Sequence, residues 1–256
     1  MKNYRAYAKV NIFLKITAKR GDYHEILSRF VLVGDLYDTL SFSAKESREF
    51  KIEGDFNCKT KQNTIYKAYL ALLQASNSKA LVELMERYGV HVDKKIPSFA
   101  GLGGGSSDAA TFLLMCNEVL HMGLSRDELA QIGSKVGADV PFFVYGYQSA
   151  NISGIGEVVV AFDEPPLSIK TVTPQIEIST PKVYQAFRQH MYKTISEQEQ
   201  SHLKQLSSLD ALQAMTPDEA NDLFAPAKLL YPQLQQHHKD GWYFSGSGSS
   251  FFTIEK

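Results

Sequence analysis

Apolar and polar residues alternate along the first element that the sequence predicts, residues 7–16. Every second position from Ala8 to Ile16 is apolar, and this period of two predicts a half-buried strand. Runs of a similar kind predict further strands at residues 26–33, 39–43, 90–96, 140–144, 151–153, 157–162, 168–172, 175–178, 242–244 and 251–254.

Apolar residues spaced three and four apart predict helices at residues 63–73, 109–120, 124–136, 182–191 and 225–235. The third of these begins with Ser125 followed by Glu128, which is the spacing of a capping box. Residues 194–210 are polar and predict a connector or a surface helix. Because strands and helices mix in both halves without regular alternation, the pattern predicts an α+β fold.

The pair Pro165-Pro166 predicts a domain boundary, since adjacent prolines interrupt both helices and strands. It predicts an N-terminal domain, residues 1–163, and a C-terminal domain, residues 164–256.

The composition indicates a folded chain with little net charge. Among 256 residues, 27 Lys and Arg stand against 28 Asp and Glu, a net charge of −1, and 44% of residues are hydrophobic. This excludes intrinsic disorder and argues against nucleic-acid or membrane partners, which need concentrated positive charge. No apolar run approaches the roughly 20 residues that cross a bilayer, and no secretory pattern is present. Cys58 and Cys116 lack metal-ligand or redox spacing, so we expect a cytoplasmic or organellar protein. The small net charge predicts that its partner is a small molecule.

A glycine-rich segment carries the strongest chemical signal. Four of the five residues from Gly101 to Gly105 are glycine, and Ser106-Ser107 and a predicted helix follow. Glycines let the backbone approach a ligand closely, and a helix start offers free N–H groups and a positive dipole end. The segment therefore predicts a phosphate cradle, whose serines are suited to Mg²⁺ or a phosphate oxygen. It is neither a Walker A loop nor G-x-G-x-x-G, and the alternative is a flexible loop that caps a helix.

Three further places in the sequence have candidate chemistry and an ordinary alternative. Lys9 and Asn11 share a strand face and are suited to a phosphate or a hydroxyl, or Lys9 is simply solvated. Asp139 is suited to accept a proton from an attacking hydroxyl, or it bonds backbone N–H groups in a turn. Tyr23-His24 suits a flat heterocycle, or these are ordinary loop residues.

A glycine-serine segment also lies near the C-terminal end, at residues 245–250. It is either a second anion-binding turn or a hairpin connection.

In order along the chain, these segments resemble those of the GHMP kinases. The strand at residues 8–14, the glycine segment at 97–111 and the Gly/Ser turn at 245–249 stand where that family has its motifs. The resemblance implies a two-domain α+β fold with the active site in the cleft between the domains. The long glycine segment, Tyr23-His24 and residues 137–143 resemble the members that phosphorylate the 2-hydroxyl of a cytidine-diphosphate methylerythritol in non-mevalonate isoprenoid biosynthesis. Residues 63–68, 154–157 and 221–224 are similar to those members as well.

This resemblance implies a role for each motif residue, with ATP and Mg²⁺ as cofactors. We expect a monomer or weak homodimer as the assembly. Lys9 orients the hydroxyl and offsets developing charge, and Asp139 is the general base. The substrate contacts are Asn11, Tyr23, His24 and Tyr184, with Tyr23 and His24 meeting the cytidine and Tyr184 stacking on the base from the other side. The ATP contacts are Pro97, Gly101, Leu102, Gly103, Gly104, Gly105, Ser106, Ser107, Asn63 and Lys94, and Ser107 also serves the metal.

Two alternatives remain at the level of the sequence. One is a related GHMP kinase that acts on another small alcohol, which would not need Tyr23, His24 and Tyr184. The other is a GHMP-fold protein without catalysis that binds nucleotides or regulates, against which Lys9, Asp139 and the glycine segment argue.

Overall fold

The structure is a computed structural model that describes residues 2–255. It contains two compact units, each built from separate stretches of chain. Unit 1 holds the residues through Ala8, Asp35–Ser98 and Gly103–Gly146, and unit 2 holds Lys9–Gly34, Phe99–Leu102 and the residues from Tyr147 on. Both units contain strands and helices, which confirms the predicted α+β class. The units interleave along the chain, and the division into domains 1–163 and 164–256 stays a prediction.

The strands of the described chain are β1 (Tyr4–Arg20), β2 (Tyr23–Ala44), β3 (Ile52–Glu53), β4 (Tyr88–Asp93), β5 (Ser149–Ser153), β6 (Val158–Ala161), β7 (Ile169–Val172), β8 (Tyr243–Phe244) and β9 (Phe251–Ile254). The α-helices are α1 (Thr64–Ser76), α2 (Lys79–Arg87), α3 (Gly104–Val119), α4 (Arg126–Ser134), α5 (Val140–Tyr145), α6 (Thr180–His190), α7 (Glu197–Gln205), α8 (Ser208–Ala214), α9 (Pro217–Ala220) and α10 (Phe224–Leu230). Across residues 2–255, no helix is both long and apolar enough to span a membrane.

Unit 1 is organised around the buried helix α3. Residues 39–44 of β2 pair antiparallel with β4, and β3 pairs parallel with β4. Helix α3 packs against α1 and α5, and its side chains Phe112 and Leu113 are fully buried. The buried side chains keep α3 fixed in unit 1, and its glycine-rich N-terminal end is fixed with it.

Unit 2 contains the N-terminal half of β2, which pairs antiparallel with β5, and a three-stranded sheet in the order β7, β9, β8. The rings of Phe224 and Phe244 stack with centroids 4.7 Å apart, and Phe251 lies edge-on to both. These buried rings fix the ends of β8 and β9 against α10. The Gly/Ser turn at residues 245–250 joins the antiparallel strands β8 and β9, so it is a hairpin connection. The two residues that flank it, Phe244 and Phe251, are buried.

Several predicted elements differ from the observed ones. Residues 140–144 form helix α5 and not a strand, because a short apolar run buried on all sides carries no period that separates the two. Residues 26–33 and 39–43 belong to the single long strand β2. Residues 175–178 form no strand, and α2 was not predicted.

Other predicted elements are confirmed in detail. Ser125 and Glu128 form the predicted capping box at the start of α4. The polar stretch 194–210 contains α7 and the start of α8, and Ser196 forms a capping box with Glu199. Local hydrogen-bonding chemistry is sufficient to specify these helix starts.

Candidate active site

Lys9 is a buried lysine on β1, with only 3% of its surface exposed. Its Nζ donates hydrogen bonds to Asn11 Oδ1 at 2.7 Å and to the carbonyl of Gly101 at 3.0 Å, and it lies 4.4 Å from the centre of the Phe30 ring. The alternative of a merely solvated lysine is therefore wrong. The prediction of a half-buried strand is also wrong here, because both faces of β1 are buried from Ala8 to Ile16.

Asn11 has an orientation that its neighbours determine. Its Nδ2 donates to Ser28 Oγ at 2.9 Å, so its Oδ1 faces the ammonium of Lys9. Asn11 is 2% exposed, and its backbone N–H lies 3.4 Å from Ser245 Oγ. The amide thus holds the lysine through an oxygen that cannot turn away without breaking a buried hydrogen bond.

Gly101 is the point where the glycine-rich segment touches the Gly/Ser turn. Its φ is +74°, and a Cβ at this position would lie 2.1 Å from the carbonyl oxygen of Ser245. Only glycine fits both the backbone conformation and this approach. The Gly101 carbonyl accepts from Lys9 Nζ and from Ser245 Oγ, each at 3.0 Å.

Helix α3 begins within the glycine-rich segment. Gly103, with a φ of +74°, is the N-cap of α3, and the residues 104–107 form its first turn. The sequence predicted the helix start at residue 109, too late, because glycine is a poor helix former. Ser107 N–H donates to the Gly103 carbonyl, whereas the N–H groups of the three preceding residues have no acceptor within a helix. A helix start of this kind suits an anion, and the phosphate cradle stays a prediction.

Lys94 and two aspartates form a buried ion cluster in unit 1. Lys94 Nζ contacts Asp38 Oδ2 and lies 2.8 Å from Asp108 Oδ2. Asp38 Oδ1 accepts the N–H groups of residues 95 and 96. Burial, the largest cause, raises the pKa of Asp108 to about 7 despite the neighbouring ammonium. The cluster ties β2 to the second turn of the glycine-started helix.

The two residues predicted near adenine already have structural partners. The Asn63 side chain accepts the N–H of Ile65 and caps α1, and Lys94 is held by its two carboxylates. Asp38 and Asp108 were not among the predicted site residues. The sequence offered a signal for Asp108, which directly follows the Ser106-Ser107 pair, and none for Asp38.

Asp139 stands at the N-cap position of α5 but does not cap the helix with its side chain. Its segment lies beside the glycine-rich helix start within unit 1. A Cβ on Gly137, two residues earlier, would lie 3.6 Å from Ser106 Oγ. The structure therefore brings the predicted base segment and the predicted phosphate cradle together.

His24 is a buried histidine of unit 2 surrounded by aromatic rings. Its ring stacks on that of Tyr184 with centroids 5.4 Å apart and an angle of 24°, and Phe187 and Tyr192 lie within about 6 Å. The Nε2 atom of His24 is buried without a hydrogen-bond partner among residues 2–255. Tyr23, next in the chain, is 65% exposed. A buried polar atom without a partner is costly, so this aromatic cluster is suited to a ligand that supplies one.

We expect the stability of the protein to fall below about pH 6.5, the ordinary pKa of histidine, in a way that depends on His24. Burial lowers the pKa of His24, and positive Arg188 and Lys19 act in the same direction. The unfolded chain therefore binds a proton that the folded chain binds only at lower pH, so unfolding is favoured as pH falls.

Thermal melting of wild type and His24→Phe, at about pH 7.5 and about pH 5, checks this. The wild-type melting temperature should fall by more than that of the variant. An equal fall in both proteins would contradict the assignment.

The fold and the site segments define a GHMP kinase. Residues 63–147 match the family model described as "GHMP kinases N terminal domain". A solved structure described as 4-(cytidine 5'-diphospho)-2C-methyl-D-erythritol kinase is 29% identical, with a TM-score of 0.75, and the match covers 100% of this chain and 90% of that one. The predicted class of protein is thereby confirmed.

Two relatives carry the assignment further. A protein of Sulfurimonas denitrificans named 4-diphosphocytidyl-2-C-methyl-D-erythritol kinase is 62% identical over 100% of this chain and 98% of its own length. A protein of Sulfurovum with the same name is 44% identical over the full length of both chains. The chain belongs to the family of 4-diphosphocytidyl-2-C-methyl-D-erythritol kinases.

Proposed function

We propose that the protein transfers the γ-phosphoryl group of ATP to the 2-hydroxyl of 4-diphosphocytidyl-2-C-methyl-D-erythritol, giving the 2-phosphate and ADP in non-mevalonate isoprenoid biosynthesis. The observation that carries the reaction is the position of the Asp139 segment beside the start of α3, where a Cβ on Gly137 would lie 3.6 Å from Ser106 Oγ. A base beside a phosphate cradle is what phosphoryl transfer to an alcohol requires. Family membership and the aromatic cluster around His24 support the choice of alcohol.

The two charged residues take complementary roles in this proposal. The Asp139 carboxylate accepts the proton of the 2-hydroxyl as its oxygen attacks the γ-phosphorus, and ADP leaves with the electrons of the broken bond. Lys9, held by Asn11 and Gly101, orients the hydroxyl and offsets the negative charge that grows on the phosphoryl oxygens. A preorganised cation of this kind costs no rearrangement during the reaction.

The glycine-rich segment binds ATP in this proposal. The N–H groups at the start of α3 hold the phosphates. Pro97 and Gly101 take the ATP contacts that the resemblance to the GHMP kinases implies for them. Asn63 and Lys94 act near adenine through backbone atoms or by exchanging their present side-chain partners.

Mg²⁺ fits the oxygen chemistry at the start of α3. Among residues 2–255, no cluster of three or more His, Cys, Asp or Glu forms a metal site, so the protein offers few ligands. Mg²⁺ bound to a nucleotide takes most of its ligands from phosphates and water, and one hydroxyl such as that of Ser107 suits it. The ion supplies neutralisation of phosphate charge when it is bound.

The cytosine base binds at the aromatic cluster of unit 2. The rings of His24 and Tyr184 are in direct contact, so the base stacks on an outer ring face, with exposed Tyr23 available to cover it. We propose a cytoplasmic location and a monomer or weak homodimer.

ADP release with Mg-ATP tests the function against its alternatives. We expect turnover with the cytidyl alcohol and none with mevalonate, homoserine or galactose. Tyr184→Ala should raise KM for the cytidyl alcohol by about tenfold or more, since stacking on a base contributes about 1–3 kcal/mol.

Tyr37→Ala is the control, because Tyr37 packs edge-on against Tyr7 in unit 1 and is not part of the aromatic cluster around His24. We expect its KM for the cytidyl alcohol to stay within about twofold of wild type. Turnover with one of the other alcohols, and none with the cytidyl alcohol, would contradict the proposed substrate. ATP binding without any turnover would favour the non-catalytic alternative.

A further inference from the structure

We propose that Asn221 is a positioning residue that holds Lys9 in place through the Gly/Ser turn at residues 245–250. This inference rests on the proposed function, in which Lys9 acts on the reacting groups. Asn221 belongs to a segment that resembles the kinase family but that none of the proposed catalytic or binding roles uses.

Asn221 uses its whole side chain to fix backbone. Its Nδ2 donates to the carbonyls of Phe244 at 2.9 Å and of Gly246 at 2.8 Å, and its Oδ1 accepts the N–H of Leu223 at 2.9 Å. The residue is 1% exposed. The two carbonyls flank Ser245, so one amide determines where that residue lies.

Ser245 transmits this position to the lysine. Its Oγ donates to the Gly101 carbonyl at 3.0 Å, and its own carbonyl packs so closely on Gly101 that no Cβ would fit. The same Gly101 carbonyl accepts from Lys9 Nζ. A shift of the turn therefore moves an acceptor that orients the ammonium.

Gly246 gives a second route to the same lysine. A Cβ on Gly246 would lie 3.4 Å from Asn11 Oδ1, which is the other acceptor of Lys9 Nζ. The turn that Asn221 holds thus borders both oxygens that orient Lys9.

The backbone of Asn221 is anchored separately from its side chain. Asn221 bridges to Leu14 of β1, and the N–H of Asp222 donates to the Leu14 carbonyl at 2.9 Å. Asp222 also accepts the N–H of Ile16 and pairs with Lys15. Because these contacts do not use the amide of Asn221, we expect Asn221→Ala to fold.

Steady-state kinetics of Asn221→Ala is the first test. We expect kcat to fall by about 10- to 100-fold, since small displacements of a catalytic group have effects of this size. KM for ATP and for the cytidyl alcohol should change by less than about threefold, because the bound ground state does not depend on the exact lysine position.

Asn117→Ala is the matched control. Its Nδ2 and Oδ1 bind the backbone of Leu124 at 2.9 and 3.0 Å, so it removes a similar set of hydrogen bonds far from Lys9 in the chain. We expect its melting temperature to fall and its kcat to stay within about twofold of wild type. Equal effects of the two variants on kcat would overturn the proposal.

A double-mutant cycle with Lys9→Met separates positioning from an independent role. If Asn221 acts through Lys9, then Asn221→Ala lowers kcat by less than about twofold when Lys9 is already methionine. Losses that multiply would overturn the proposal.

A crystal structure of Asn221→Ala gives a readout that does not depend on the reaction. A displaced Gly101 carbonyl or Lys9 Nζ supports the proposal, and unchanged contacts at 2.7 and 3.0 Å overturn it. Failure of the proposed function is distinct, because wild type itself would then not phosphorylate the cytidyl alcohol.

Discussion

Replacement of Asp139 by Asn is expected to lower kcat by about 10³-fold, because general-base catalysis contributes on the order of 10² to 10⁴. The amide has nearly the same shape as the carboxylate but cannot accept the proton of the attacking hydroxyl. Because of this near-identical shape the fold should persist, and the substitution removes no capping bond at the start of α5. ADP release under saturating Mg-ATP and alcohol measures the effect.

Asp127→Asn is the control for this prediction. Asp127 is an exposed aspartate of unit 1 that accepts the hydroxyl of Tyr145 at 2.9 Å. We expect kcat of this variant to stay within about twofold of wild type. If Asp139→Asn kept more than about a tenth of wild-type turnover, Asp139 would not be the base.

Replacement of Arg29 by Met is expected to lower the free energy of unfolding by about 3–5 kcal/mol, the cost of leaving a buried charge without its partner. Arg29 is fully buried, its Nε donates to Asn151 Oδ1 at 2.8 Å, and its guanidinium lies 3.4 Å from the Phe162 ring centre. Burial lowers its pKa to about 10, so it remains charged at neutral pH.

The expected decrease in the free energy of unfolding of Arg29→Met has two physical sources. Arg29 donates to the carbonyls of residues 203, 204 and 206 at the end of α7, and these would lose their buried donor. Glu164, 3.9 Å away and 6% exposed in its side chain, would remain as a carboxylate that Ser208 hydrogen-bonds but no cation balances. Urea unfolding followed by circular dichroism measures the change.

Arg20→Met is the matched control, because the pair of Arg20 with Glu157 lies at the surface. Exposed ion pairs contribute little, so the urea midpoint of this variant should barely move. An effect of Arg29→Met no larger than that of Arg20→Met would contradict the role of the buried guanidinium.

Local sequence predicted those elements whose specification is local. The capping box at Ser125 and Glu128 marks the start of α4, and the helical spacing of residues 63–73 predicted α1. The run at residues 140–144 failed because α5 is buried on all sides, and burial of that kind erases the period that distinguishes a helix from a strand. Helix α3 starts inside glycines, against their propensity, because packing against α1 and α5 outweighs it.

The candidate site divides in the same way. Chemistry and spacing along the chain indicated the glycine segment and left Lys9, Asn11 and Asp139 as candidates, and the resemblance to the GHMP kinases gave these three residues their expected roles. The burial of Lys9 and its two hydrogen bonds to Asn11 and Gly101 did not follow, because Gly101 lies far away in the sequence. The Lys94 cluster and the amide of Asn221 were not predicted either, since their partners come from distant segments.

By itself, the sequence of this protein determined the class of fold, the kinase family and the residue types available for chemistry, because these depend on motifs that are contiguous in the chain. Only the tertiary structure decided which polar groups are buried, which partner each one has and which backbone atoms hold Lys9. The physical reason is that burial and long-range hydrogen bonds depend on segments brought together by packing. The Lys9 ammonium, for example, donates to the carbonyl of Gly101, which lies 92 residues later in the chain.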